Sequence, residues 1–107
     1  MKQQVKKLWI KALRSGKFKQ AKGKLRAKTE DGYAYCCLGV LEQVRCEAEG
    51  KRFPTRLREE VLTKPTMEWA GLDDSNPNLP SGDYAAAALN DDGKSFEYIA
   101  KRIEKYL

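Results

Sequence analysis

Residues 24–41, KLRAKTEDGYAYCCLGVL, decide the fold because the pattern changes period within them. Residues 24–28 alternate in part with period two and predict a short strand, Asp31-Gly32 is a strong two-residue turn signal, and Tyr33-Ala34-Tyr35 is the returning strand. From Cys36 the spacing becomes helical: Cys37, Leu41, Val44 and Ala48 share one face, Leu38 widens it, and Glu49-Gly50 closes it. A hairpin that runs directly into an amphipathic helix predicts the α+β class.

Upstream, Val5, Leu8, Trp9, Ala12 and Leu13 recur at i, i+3, i+4, i+7 and i+8 and predict a helix over residues 3–14, ended by Ser15-Gly16. Downstream, Pro54 suits the first turn of a third helix with Leu57 and Val61 inward and Phe53 against its start. Residues 63–80 carry Pro65, Pro77 and Pro80 and allow at most a short turn around Glu68-Trp69-Ala70. A helix is expected from Asp83 through the alanine run to Leu89, with Asn90-Asp91-Asp92-Gly93 as its stop. Ser95 then caps a last helix whose buried stripe is Phe96, Ile99, Ala100, Ile103 and Leu107. With 107 residues and 12.2 kDa there is room for one core. The expected architecture is a single α+β domain over residues 1–107, with about five short helices packed around a small antiparallel β-hairpin. Trp9, Trp69, Phe96 and the apolar faces of the first, second and last helices form its core.

Charge is divided unevenly along this chain. The total is +6, yet residues 1–28 hold eleven Lys and Arg and no acid, while residues 29–107 hold ten bases against fifteen acids. A strongly basic N-terminal segment is joined to a mildly acidic body, and such asymmetry points to a polyanionic partner. The competing possibility is that the acidic body neutralises the segment internally.

Composition excludes much else. Histidine is absent, which removes the commonest general base and the commonest transition-metal ligand. The three cysteines do not form a disulfide framework, and Cys36-Cys37 lacks the C-x-x-C spacing of a zinc site. Cys36 at a helix start is chemically possible as a nucleophile but has no imidazole partner, so both thiols read as small core hydrophobes. Aligning Gly93 with the sixth position of a calcium loop puts Ala88 first and Ile99 twelfth, and the assignment fails. No phosphate-binding loop, dinucleotide fingerprint or nucleophile elbow is present, so neither a metal nor a cofactor is expected. No apolar run approaches the ~20 residues needed to span a bilayer. The expected location is the cytoplasm, without membrane association, since the apolar stripe of the first helix is more simply used against the domain's own core.

Several strings are familiar. Trp9-Ile10-Lys11-Ala12-Leu13-Arg14-Ser15-Gly16 followed by Phe18 and Gln20, Gly32-Tyr33 leading to Cys36-Cys37-Leu38-Gly39-Val40-Leu41, Leu89-Asn90-Asp91, and Ser95-Phe96 together resemble small proteins of tailed bacteriophages. That group brings no assigned activity, catalytic residue or ligand. The resemblance implies an accessory product of infection acting in the host cytoplasm, where such proteins bind a host component, a nucleic acid, or a defence system's enzyme or signalling nucleotide.

The leading expectation is therefore a non-enzymatic protein, acting in host takeover or counter-defence, that engages nucleic acid or a nucleotide through Lys11, Arg14, Lys17, Phe18, Lys19, Gln20, Lys22, Lys24, Arg26 and Tyr33. Lysines and arginines on a glycine-bearing segment beside a hairpin can surround phosphates, and an aromatic ring there can stack on a base. Core packing is the alternative use of Phe18, and Tyr35 is a further stacking candidate. A second expectation is a protein–protein inhibitor whose basic face covers an acidic or nucleic-acid-binding surface of a host or defence enzyme. A third is a small hydrolase built on Asp73, Asp74 or Asp83.

Overall fold

The computed structural model describes residues 1–54, 60–79 and 85–107. Helix α1 (Gln3–Arg14) buries Val5, Trp9 and Leu13, one residue per turn, and ends at Ser15 ahead of Gly16, which takes φ +76°. Leu8 was expected in this stripe but is 45% exposed. At 100° per residue it sits on the flank of the helix, beyond the reach of the partners that cover Trp9.

Three short strands follow: β1 (Lys19–Gln20), β2 (Arg26–Thr29) and β3 (Gly32–Tyr35). Strands β2 and β3 form the expected antiparallel pair, but Thr29 lies opposite Gly32, so the two-residue turn is Glu30-Asp31, one residue earlier than Asp31-Gly32, and the sheet is mixed with the order β1-β3-β2. The strand missed from the sequence is β1, a parallel edge of two residues extended by the Ala21 N–H donating to the Tyr35 carbonyl at 2.7 Å. Helix α2 (Cys37–Glu49) starts immediately after β3, with Cys36 as its cap and Gly50 in the left-handed conformation at its end. It is the centre of the molecule: Cys37, Leu38, Gly39, Val40, Leu41 and Glu42 are all buried in sequence. Ala48, expected on its inner face, is exposed.

Helix α3 (Lys64–Ala70) occupies a region expected to be irregular. Its proline falls in the first turn, where the missing N–H costs nothing. The buried carboxylate of Glu42 on α2 accepts from the Thr63 N–H and the Thr66 hydroxyl, both at 2.6 Å, and so supplies the acceptor that this helix start lacks locally. The third helix expected after Pro54 falls largely on residues 55–59, outside the described residues; Val61, expected inward, is exposed. Trp69 is half-buried at the margin of the core.

Helix α4 (Ala86–Asp91) begins later than expected, since Ala85 is still extended. Helix α5 (Phe96–Tyr106) starts at Ser95, whose hydroxyl accepts from the Tyr98 N–H at 3.1 Å, and buries Phe96, Ile99, Ala100 and Ile103. Helices α1 and α5, the two ends of the chain, lie against each other, and α1 also packs on α2. Trp9 stands at the centre of this junction and donates its indole N–H to the Cys37 carbonyl at 2.9 Å.

Two close approaches fix the sheet against the helices. Gly39 leaves room for the Leu25 carbonyl, which a Cβ at that position would overlap. The buried Asn90 side chain donates to the Ala21 carbonyl at 2.6 Å and accepts from the Cys37 N–H at 3.1 Å and the Gln20 side chain at 3.0 Å, so one amide holds β1, α2 and α4 together.

Candidate functional site

The basic segment falls into three parts. The first is the outer face of α1, where Lys6, Lys7, Lys11 and Arg14 surround an open groove of about 680 Å³ whose lining also includes Ile10 and, from α5, Glu104. Helical spacing puts these residues on one side of α1 because Trp9 and Leu13 turn the other side inward. The second part is residues 17–24, in which Lys17, Lys22 and Lys24 are exposed around Gly23, itself held by its N–H donating to Asp91 at 2.8 Å. The third is the outward face of the sheet, carrying Arg26, Lys28 and Tyr33.

Among the described residues, few of these cations meet a carboxylate. Arg14 donates to Glu97 at 3.0 Å and Glu104 at 3.2 Å, and the hydrogen bond to Glu104 raises its pKa further above the usual arginine value. Lys19 meets Asp31 at 3.3 Å, with both side chains largely exposed, a pairing that water and salt screen heavily. Among the described residues these are the two ion-paired cations of residues 1–28. The other nine, Lys2, Lys6, Lys7, Lys11, Lys17, Lys22, Lys24, Arg26 and Lys28, have no carboxylate within 4.0 Å there.

Some expected contacts serve the fold. Gln20 is spent on Asn90 and on the Lys94 carbonyl at 2.7 Å. Phe18 packs against the core margin and meets Tyr35 edge-on with centroids 5.1 Å apart, so its ring is an internal contact. Arg26 lies between two rings, 4.0 Å from the centroid of Tyr33 and 4.3 Å from that of Phe53, while Tyr33 stays 46% exposed.

The cysteines are packing residues. Cys36 accepts from the Gly39 N–H at 3.3 Å and Cys37 donates to the Ala86 carbonyl at 3.4 Å. Burial pushes both thiols above their ordinary range, Cys37 furthest, and also raises Cys46. Such thiols are poor nucleophiles at neutral pH. Asp73 and Asp74 are exposed, and Asp74 accepts from the Asn76 N–H at 2.9 Å as part of a turn; Asp83 lies outside the described residues.

Sequence reading missed the contribution of α5. Lys94, Lys101, Arg102 and Lys105 accompany Tyr98 and Tyr106, with the Arg102 guanidinium 5.2 Å and 5.9 Å from the two ring centroids and a shallow groove of about 290 Å³ beside them. Lys101, Arg102 and Lys105 stand in the second half of α5, where they also complement the helix dipole. The missing information was tertiary: α5 lies beside α1, which unites two basic ends. Residues 1–28 and 94–107 together carry fifteen bases against two acids, whereas residues 29–93 carry six against thirteen.

No helix of the described residues is long and apolar enough to cross a membrane, and no group of three metal-ligating side chains is gathered among them. No curated protein and no solved structure matches the chain. A family model does match it over residues 1–107, and the chain belongs to that family, the Domain of unknown function (DUF8296).

Proposed function

We propose that this chain is a non-enzymatic binding protein that holds a phosphate-rich partner, a nucleic acid or a nucleotide, on the basic surface formed by α1, residues 17–26 and the adjoining α5. The observation that carries this reading is the lack of internal neutralisation: nine of the eleven cations in residues 1–28 have no carboxylate partner among the described residues. Cations gathered without counter-charge repel one another and lower stability, so their concentration on one surface is best explained by an external anion. The groove on α1 supports the same reading, since four cations surround it and the one acid in its lining already engages Arg14. Buried thiols and the absence of histidine favour binding over catalysis. The resemblance to phage proteins adds a setting, an accessory role during infection in the host cytoplasm.

Two groups of substitutions test it. Lys6, Lys7 and Lys11 changed together to Ser, and Lys17, Lys22 and Lys24 changed together to Ser, each remove three exposed or half-exposed charges without touching the core. Each variant is expected to bind inorganic polyphosphate and oligonucleotides on the order of tenfold or more weakly at low salt, with a melting temperature within a few degrees of the parent. Unchanged affinity in both variants refutes the proposal. A stable complex with one protein that survives nuclease treatment and persists in both variants favours the inhibitor reading instead.

A further inference from the structure

We infer that the outward face of the sheet is a base-stacking platform, and that the partner is a single-stranded nucleic acid laying a base on Tyr33. This rests on the polyanion reading above and narrows it. Tyr33 and Tyr35 are two residues apart on β3 and share a face, and the antiparallel register sets Lys28 opposite Tyr33 and Arg26 opposite Tyr35 on that same face. Ala34 between the tyrosines is buried, which turns the tyrosine face outward.

The two tyrosines have different uses. Tyr35 meets Phe18 and Phe53 edge-on, with centroids 5.1 and 6.0 Å away, and is consumed by packing. Tyr33 is 46% exposed and carries the Arg26 guanidinium 4.0 Å from its ring centroid. Arg26 is clamped between Tyr33 and Phe53 and has no carboxylate partner among the described residues. A guanidinium already immobilised by two rings gives up little further freedom on meeting a phosphate. Lys28, the register neighbour of Tyr33, is exposed and likewise without an acid partner there.

An exposed aromatic flanked by cations on a sheet is how single strands are bound with little sequence preference. A duplex keeps its bases inside and offers the ring nothing. A mononucleotide has too few phosphates to meet cations spread over α1, residues 17–24 and the sheet of a molecule 34 × 28 × 25 Å across. The acids of the turn, Glu30 and Asp31, lie at the tip of the hairpin, and Asp31 is engaged by Lys19. They direct the phosphates away from the tip, along Lys28 and Arg26 towards residues 17–24.

The experiment uses the full chain and three probes at equal salt: a fluorescent oligothymidylate of about ten nucleotides, its duplex with oligoadenylate, and inorganic polyphosphate. The single strand is expected to bind more tightly than either of the others. Tyr33→Ala should weaken the single strand on the order of tenfold while leaving polyphosphate within about twofold, and Tyr33→Phe should restore the single strand. If Tyr33→Ala leaves the single strand unchanged, or weakens polyphosphate as much, or if duplex binds as tightly as single strand, the stacking inference is overturned while polyanion binding stands. If none of the three probes binds the parent protein, both readings fall.

Discussion

Cys37 shows how burial alone settles the chemistry of a residue. Its thiol is enclosed between α2 and α4, donates to the Ala86 carbonyl, and is held well above the ordinary thiol range by desolvation, with Cys36 adding to the effect. The folded protein therefore keeps this proton at a pH where the unfolded chain has released it. The unfolded state then binds fewer protons than the folded one, so stability is fully present below the unfolded pKa of ~8.5 and declines as pH rises above it. Thermal melts from pH 7 to 10 should show a fall in melting temperature that is smaller in Cys37→Ala; equal slopes in the two proteins would contradict the assignment. The role of the cysteines as small hydrophobes was legible from the sequence, because no partner of the right type or spacing existed. The role of Asn90 was not. It read as part of a helix stop, and nothing local indicates that its amide reaches Ala21 and Cys37, 69 and 53 residues away.

Among the secondary elements, α2 depends most on one small residue. Gly39 lies in its first turns, where alanine would ordinarily favour the helix by about 0.8–1.0 kcal/mol. Here a Cβ would overlap the Leu25 carbonyl, which belongs to backbone already accepting from the Cys36 N–H and cannot simply turn aside. Overpacking of this kind costs about 1–3 kcal/mol and outweighs the helical gain. Gly39→Ala is accordingly expected to lower the stability measured by urea denaturation, and an unchanged or raised midpoint would refute the close packing of α2 on the strand approach. Helices at the ends of the chain, the β2–β3 hairpin signalled by Asp31-Gly32 and the Ser95 cap were legible because each carries its signal within a few residues. Strand β1 and helix α3 were not, since β1 depends on Asn90 and α3 on Glu42, an acceptor from a different element.

Across the whole molecule, the linear division into basic segment and acidic body gives way to a different arrangement. Packing α1 against α5 brings both ends of the chain together, so the C-terminal helix extends the basic surface while Glu97 and Glu104 hold Arg14 in its midst. The candidate surface was legible as composition, in the eleven cations before residue 29, but its extent was not, because only the helix pairing adds Lys101, Arg102 and Lys105. The same fold engages the Gln20 amide and the Phe18 ring in internal contacts and leaves Tyr33 46% exposed.

The most direct measurement is the affinity of the chain for a labelled oligonucleotide as a function of salt. Neutralising about six phosphates gives a slope of log affinity on log salt of about −4 to −5, a loss of several hundredfold or more between roughly 50 and 200 mM. That steep decline is the result expected if the surplus positive charge is the binding surface. Affinity that stays level across the same range, or no binding at the lowest salt, would contradict it.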